Sequence, residues 1–216
     1  WHLGLKAGSV PVGFDYWNVL PGQGDYINPV MYENGNKKEY EGYVTDIITD
    51  HSLDWLDSRD EDKPFLLMCH HKAPHRWWIP DEKHKDMYKD EKIPLPETFN
   101  DNYENRGQAA EEAKMRIERD FNYRDLKLKT PSGKEPGSKI IIPDNLDNFS
   151  LQPKDSDEPV TFDTHQEVKE WLYQRYIKDY LRCIASIDDN VGRLLDYLDN
   201  NGLTDNTIII YTSDQG

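Results

Sequence analysis

The chain has 216 residues, 36% of them hydrophobic and 31% charged, with a formal net charge of -15 at pH 7. That acidity excludes the broad basic surface a nucleic-acid backbone demands, and no window supplies the roughly 20 apolar residues of a membrane-spanning helix. The length permits one domain with a sizeable core, but an anionic ligand must be met by a local positive patch.

Taken in order, residues 10–31 read as loop, punctuated by Pro11, Gly13, Pro21, Gly22, Gly24 and Pro29. The interleaved aromatics Phe14, Tyr16, Trp17 and Tyr26 suit a satellite core or a surface for flat ligands, packing being the commoner use. Asn34-Gly35 signals a hairpin turn. Over 43–56, Val44, Ile47, Ile48, Leu53 and Leu56 fall at helical spacing and predict an amphipathic helix. Lys63 to Cys69 then form an apolar run entered through Pro64, as suits the first residue of a strand. The run opens into His70-His71-Lys72-Ala73-Pro74-His75-Arg76-Trp77-Trp78, a dense cationic cluster at a strand end.

Between about 80 and 160 charged residues, Pro and Gly dominate, and only 108–121 has good helix propensity. This stretch reads as an irregular insertion with little core, lying over or beside a site or serving as surface decoration. Thr164 with Glu167 forms a capping-box signal. A long helix follows, with Trp171, Leu172, Tyr176, Tyr180, Cys183, Ile187, Val191 and Leu198 at steps of three and four, ended by Gly202. Asp188-Asp189 on it read as a solvated face or an ion pair with Arg193 rather than as paired catalytic carboxylates. Cys69 and Cys183 read as small core residues, with a disulfide left open.

Ile208 to Tyr211 form a β-branched run leading into Ser213-Asp214-Gln215-Gly216, the pattern of a strand buried on both faces of a parallel sheet. In open α/β sheets ligands gather at the carboxyl ends of such strands. Asp214 and Gln215 offer hard oxygen ligands, which suit Ca²⁺ or Mg²⁺ better than zinc; Asp214 as a cap of a following turn is the alternative. If both strands share one parallel sheet, the cationic cluster and Asp214-Gln215 lie on one rim, with an anionic group held between metal and cations.

Trp1-His2-Leu3-Gly4, the stretch from Phe65 to His75, and Tyr211 to Gly216 together resemble three motifs of the type I sulfatases, in the family's order. The helix phrase from Ile187 to Leu195 is similar to the helix before the last of these. Ala73-Pro74-His75-Arg76-Trp77-Trp78, Asn28-Pro29 with Asn34-Gly35, and Gly42-Tyr43-Val44-Thr45-Asp46 resemble the N-acetylglucosamine-6-sulfatase or mucin-desulfating group.

The resemblance implies an α/β, alkaline-phosphatase-like doubly wound mixed sheet, incomplete in this fragment. It implies a formylglycine nucleophile beside one Ca²⁺, and a sulfated carbohydrate as substrate. By match of motif, Asp214 and Gln215 are metal ligands. His2 contacts the formylglycine and is a candidate base, and His75 is the candidate acid at the ester oxygen. His70, His71, Lys72, Arg76 and Trp77 are substrate-binding candidates, with pairing to the many carboxylates the alternative for the cationic ones.

The nucleophile motif Cys/Ser-x-Pro-Ser-Arg does not occur in the 216 residues. Residues 1–216 are therefore expected to be the central part of one sulfatase catalytic domain, inactive alone, from a periplasmic or secreted protein. A phosphate or phosphonate ester hydrolase of the same superfamily and a non-catalytic sulfated-glycan-binding protein are the alternatives.

Overall fold

The computed structural model describes residues 10–214, which fall into two compact units. One holds residues up to 73 and from 184 onward; the other is Pro74–Cys183.

In the first unit β1 (Asn18–Val19), β2 (Val30–Glu33) and β3 (Asn36–Glu39) form an antiparallel sheet in that order. Glu33 pairs with Asn36, so Asn34-Gly35 is a two-residue turn, with φ values of 46° and 87°. Two successive positive φ angles are what a type I′ hairpin needs, and Asn-Gly adopts them at least cost. Tyr16 braces the hairpin by donating its hydroxyl to Glu33 Oε1 at 2.9 Å.

Helix α1 (Val44–Ser58) runs two residues past its predicted end. Its buried stripe carries Thr45, Thr49 and Ser52 as well as Val44, Ile47 and Leu56. The hydroxyls of Thr49 and Ser52 donate to the carbonyls of Thr45 (3.2 Å) and Ile48 (2.8 Å) within the same helix, which lets them face a core.

The two predicted strands of this unit are corrected. Residues 65–70 and 207–212 lie in no helix and join no strand ladder among the described residues, and the ladders present are antiparallel. From Phe65 to His71 burial alternates. Phe65, Leu67, Cys69 and His71 face protein, whereas Leu66 is 74% and Met68 53% exposed. That is a strand's period-2 pattern with one face covered. Ile208 and Ile210, expected to be buried, are 91% and 83% exposed. An apolar strand is shielded only when neighbouring strands and helices lie against it, and no such neighbour is present among the described residues.

The second unit also departs from expectation, because the irregular stretch has a core of its own. Trp78, Phe121, Tyr123, Leu126, Leu128, Ile140 and Leu151 are buried there, with Val168 and Leu172 of the long helix. The helix predicted over 108–121 breaks into α2 (Gln108–Glu112) and α3 (Ile117–Asp120), separated at Met115, whose φ is 86°. β4 (Ser150–Leu151) and β5 (Val160–Thr161) pair antiparallel.

Helix α4 (His165–Asn200) spans 36 residues and contributes to both units. Its capping box is formed as read: Thr164 Oγ1 accepts from the Glu167 amide at 3.2 Å, and Glu167 Oε2 accepts from the Thr164 amide at 3.4 Å. At the other end Gly202 adopts φ 65°, and the Leu203 amide donates back to the Leu198 carbonyl at 2.8 Å, a Schellman closure. Asp188 and Asp189 are exposed, in keeping with a solvated face, and Arg193 pairs with Asp50 and donates to Asn190 Oδ1 at 2.9 Å. No disulfide joins Cys69 and Cys183.

Candidate functional site

The cationic segment is divided between the units, and each half has its own surroundings. In the first unit His70 is exposed, whereas His71 turns inward. His71 Nε2 lies 3.7 Å from Cys69 Sγ, and its Nδ1 is buried without a hydrogen-bond partner among the described residues. Desolvation lowers the His71 pKa to about 4, with Asp46 opposing the shift. Its imidazole is therefore neutral at physiological pH. Burial likewise pushes the Cys69 thiol up, with a hydrogen bond to Ser52 working against it, which makes this a core thiol rather than a nucleophile. Lys72 places Nζ 4.7 Å from the centre of the buried Tyr26 ring, a cation–π contact.

In the second unit residues 75–78 form a turn closed by the Trp78 amide donating to the His75 carbonyl at 3.3 Å. His75 is exposed, and its Nδ1 lies 2.6 Å from the Arg76 carbonyl oxygen. A carbonyl only accepts, so in this contact Nδ1 carries the hydrogen. The Arg76–Trp77 peptide bond is cis.

Arg76 is turned onto protein. Nε donates to Asp125 Oδ1 at 2.6 Å, Nη2 pairs with Asp125 Oδ2 and donates to the Asp120 carbonyl at 3.2 Å, and Nη1 meets Met115 Sδ at 3.3 Å. The Asp125 hydrogen bond raises the Arg76 pKa further. Trp77 has the Arg124 guanidinium 3.3 Å from its ring centre. Trp78 is buried edge-on against Tyr176 and Phe121.

Sequence reading missed the residues that organise this turn. Lys127 Nζ donates to the carbonyls of Trp77 (3.1 Å), Trp78 (2.6 Å) and Asp125 (3.2 Å) and to Asp179 Oδ2 (2.6 Å). Desolvation lowers the Lys127 pKa, with Asp179 acting against it. The signal available was a Lys between Leu126 and Leu128, both fully buried, in a stretch otherwise rich in charge.

Of the metal candidates, Asp214 is exposed, while Gln215, like the candidate base His2, lies outside the described residues. Ca²⁺ takes about six to eight oxygen ligands. Among the described residues no group of three or more His, Cys, Asp or Glu could hold a metal, so those residues do not by themselves make a calcium site.

Comparison with known proteins adds a second line of observation. The family model described as Sulfatase matches residues 1–216. Over its full length the chain is 40% identical to an N-acetylglucosamine-6-O-sulfatase of Bacteroides thetaiotaomicron, covering 40% of that protein. It is 26% identical to the N-acetylglucosamine-6-sulfatase of Homo sapiens, over 96% of the chain and 30% of the relative. The solved structure of BT4656 in complex with its substrate D-glucosamine-2-N,6-O-disulfate matches with a TM-score of 0.75 at 34% identity, over 92% of this chain and 43% of that one. The chain thus spans 30% to 40% of the length of these curated relatives.

Proposed function

The chain belongs to the sulfatase family and shares its alkaline-phosphatase-like fold; from that premise we propose that it forms part of a hydrolase of sulfate esters on sugars, acting on 6-O-sulfated N-acetylglucosamine of glycosaminoglycan or mucin glycans. The observation that carries this reading is the full-length 40% identity to an N-acetylglucosamine-6-O-sulfatase. A periplasmic or secreted location is part of the same proposal.

The chemistry explains why a histidine is wanted at that turn. Cleaving the S–O bond of a sugar 6-sulfate expels an alkoxide, a strongly basic leaving group, unless a proton arrives as the bond breaks. His75 Nε2 is the donor we assign: Nδ1–H is engaged by the Arg76 carbonyl, which fixes the tautomer and the ring's orientation. Trp77, two residues after His75 and with Arg124 stacked on one side of its ring, is the aromatic residue we assign to packing against a pyranose ring. Lys72 packs its buried ammonium against Tyr26 and so serves this reading by holding its part of the segment in place. Arg76 and His71 serve this reading by shaping the segment, since one is closed onto Asp125 and the other faces Cys69.

Formylglycine and Ca²⁺, supplied with the remainder of a sulfatase, provide the nucleophile and charge neutralisation; Asp214 and Gln215 are proposed as contributors to the metal's ligand set, and His2 as the base. The test is product release from two esters of one sugar. Full-length protein incubated with N-acetylglucosamine 6-sulfate and, separately, with N-acetylglucosamine 6-phosphate is expected to release sulfate at least about tenfold faster than phosphate, a difference of about 1.4 kcal/mol in barrier. Faster phosphate release points to the phosphoesterase relatives instead. Saturable binding of the sulfated sugar with no release of either anion indicates a glycan-binding protein.

A further inference from the structure

Resting on the assignment of His75 as the acid, we propose that Lys127 and Asp179 form a positioning device for the 75–78 turn, holding its backbone so that His75 Nε2 meets the leaving oxygen. Lys127 does not touch substrate in this account; it acts through the turn.

The turn needs holding. Trp78 has φ 45° and Lys127 has φ 52°, both in the left-handed region. A residue with a Cβ is disfavoured there by its clash with the following carbonyl oxygen. Such conformations persist only where the surroundings over-determine them, and they gather at functional sites. Here the two strained residues are bonded to each other, because Lys127 Nζ donates to the Trp78 carbonyl.

The other partners complete the clamp. An ammonium has three hydrogens, and four oxygens surround this one within 3.2 Å. Asp179, the counter-ion, is fixed in turn, since its Oδ1 accepts from Arg182 Nη1 at 2.9 Å and Arg182 Nε donates to the Met87 carbonyl at 2.9 Å. The turn's side chains are gripped separately through Arg76 and Asp125, and Asp125 Oδ2 also accepts the Asn122 amide at 2.8 Å. Apolar replacement of a buried ion pair is often neutral or stabilising, so stability alone gives little reason to keep one. What two backbone carbonyls bonded to one fixed cation supply is a single conformation of the peptide that carries His75.

The test separates positioning from folding by the leaving group. In full-length Lys127→Met, kcat on N-acetylglucosamine 6-sulfate is expected to fall about 100-fold with KM within about threefold, the scale of a misplacement near 1 Å. Hydrolysis of 4-nitrophenyl sulfate is expected to fall by less than about threefold, because a phenolate leaves with little help from an acid. The double variant K127M/D179N removes both charges together and should give the same split if the single variant does not fold. Equal losses on both substrates, or no loss on the sugar, overturn the proposal. A wild-type protein that releases no sulfate from the sugar rejects the functional reading instead. Amide exchange then reads the turn: the Trp78 amide, which donates to the His75 carbonyl, should exchange about tenfold faster in K127M, and unchanged exchange overturns the proposal.

Discussion

His71 and Lys127 are both basic side chains drawn largely out of water, and their surroundings treat them in opposite ways. Around Lys127 lie four oxygen acceptors, one of them a carboxylate, so its charge is balanced and its hydrogens are all engaged. Around His71 lie a thiol and a buried space in which Nδ1 finds no hydrogen-bond partner among the described residues. Desolvation prevails there, and the imidazole gives up its proton. Burial lowers the pKa of both, and the difference teaches that the acceptors around Lys127, Asp179 above all, work against that shift where His71 has only Asp46 to do so.

The sharpest way to break that comparison is to remove the ion. Lys127→Met leaves Asp179 facing carbonyl oxygens, with Arg182 as its remaining cation. The Lys127 side chain keeps 25% of its surface exposed, which softens the effect. A loss of about 3 kcal/mol is expected, at the low end for a broken buried pair, measured by urea denaturation followed through tryptophan fluorescence. A loss below about 1 kcal/mol places the pair among ordinary surface bridges.

A smaller effect is expected at His71, and it depends on pH. Its folded pKa, about 4, lies below the ordinary 6.5, so the unfolded chain binds the proton more readily. The stabilisation from keeping His71 neutral is complete above pH 6.5 and drains away as pH falls toward 4. About 2 kcal/mol should be lost by pH 4.5. His71→Leu should change neutral-pH stability by less than about 1 kcal/mol and remove this acid sensitivity, because it replaces a neutral ring with an apolar group of similar burial. Denaturation midpoints of both proteins at pH 7.5 and 4.5 check the sign; an acid loss that persists in His71→Leu assigns it to other groups.

These differences bear on what the sequence could disclose. Features encoded within a few residues were legible: Asn34-Gly35 makes its hairpin, Thr164 and Glu167 make their capping box, and Gly202 closes α4. The strand reading of 65–70 survives only as alternating burial, and that of 207–212 is not seen among the described residues, because a parallel ladder depends on partners remote in the chain. The insertion misled because composition registers its charge and not the spacing of Phe121, Tyr123, Leu126 and Leu128, which build a core around it. His75 could be found as a residue type at a motif. That Arg76 closes onto Asp125 and that Lys127 grips the turn could not, since those partners lie about fifty positions away.

The most direct test of the central claim is to exchange His75 for Ala in the full-length protein and follow sulfate release from N-acetylglucosamine 6-sulfate. Loss of a positioned general acid is expected to lower kcat by about 10² to 10⁴-fold, with far-UV circular dichroism and 4-nitrophenyl sulfate hydrolysis little changed. Release from the sugar ester that stays within about tenfold of wild type contradicts the assignment of His75 as the proton donor.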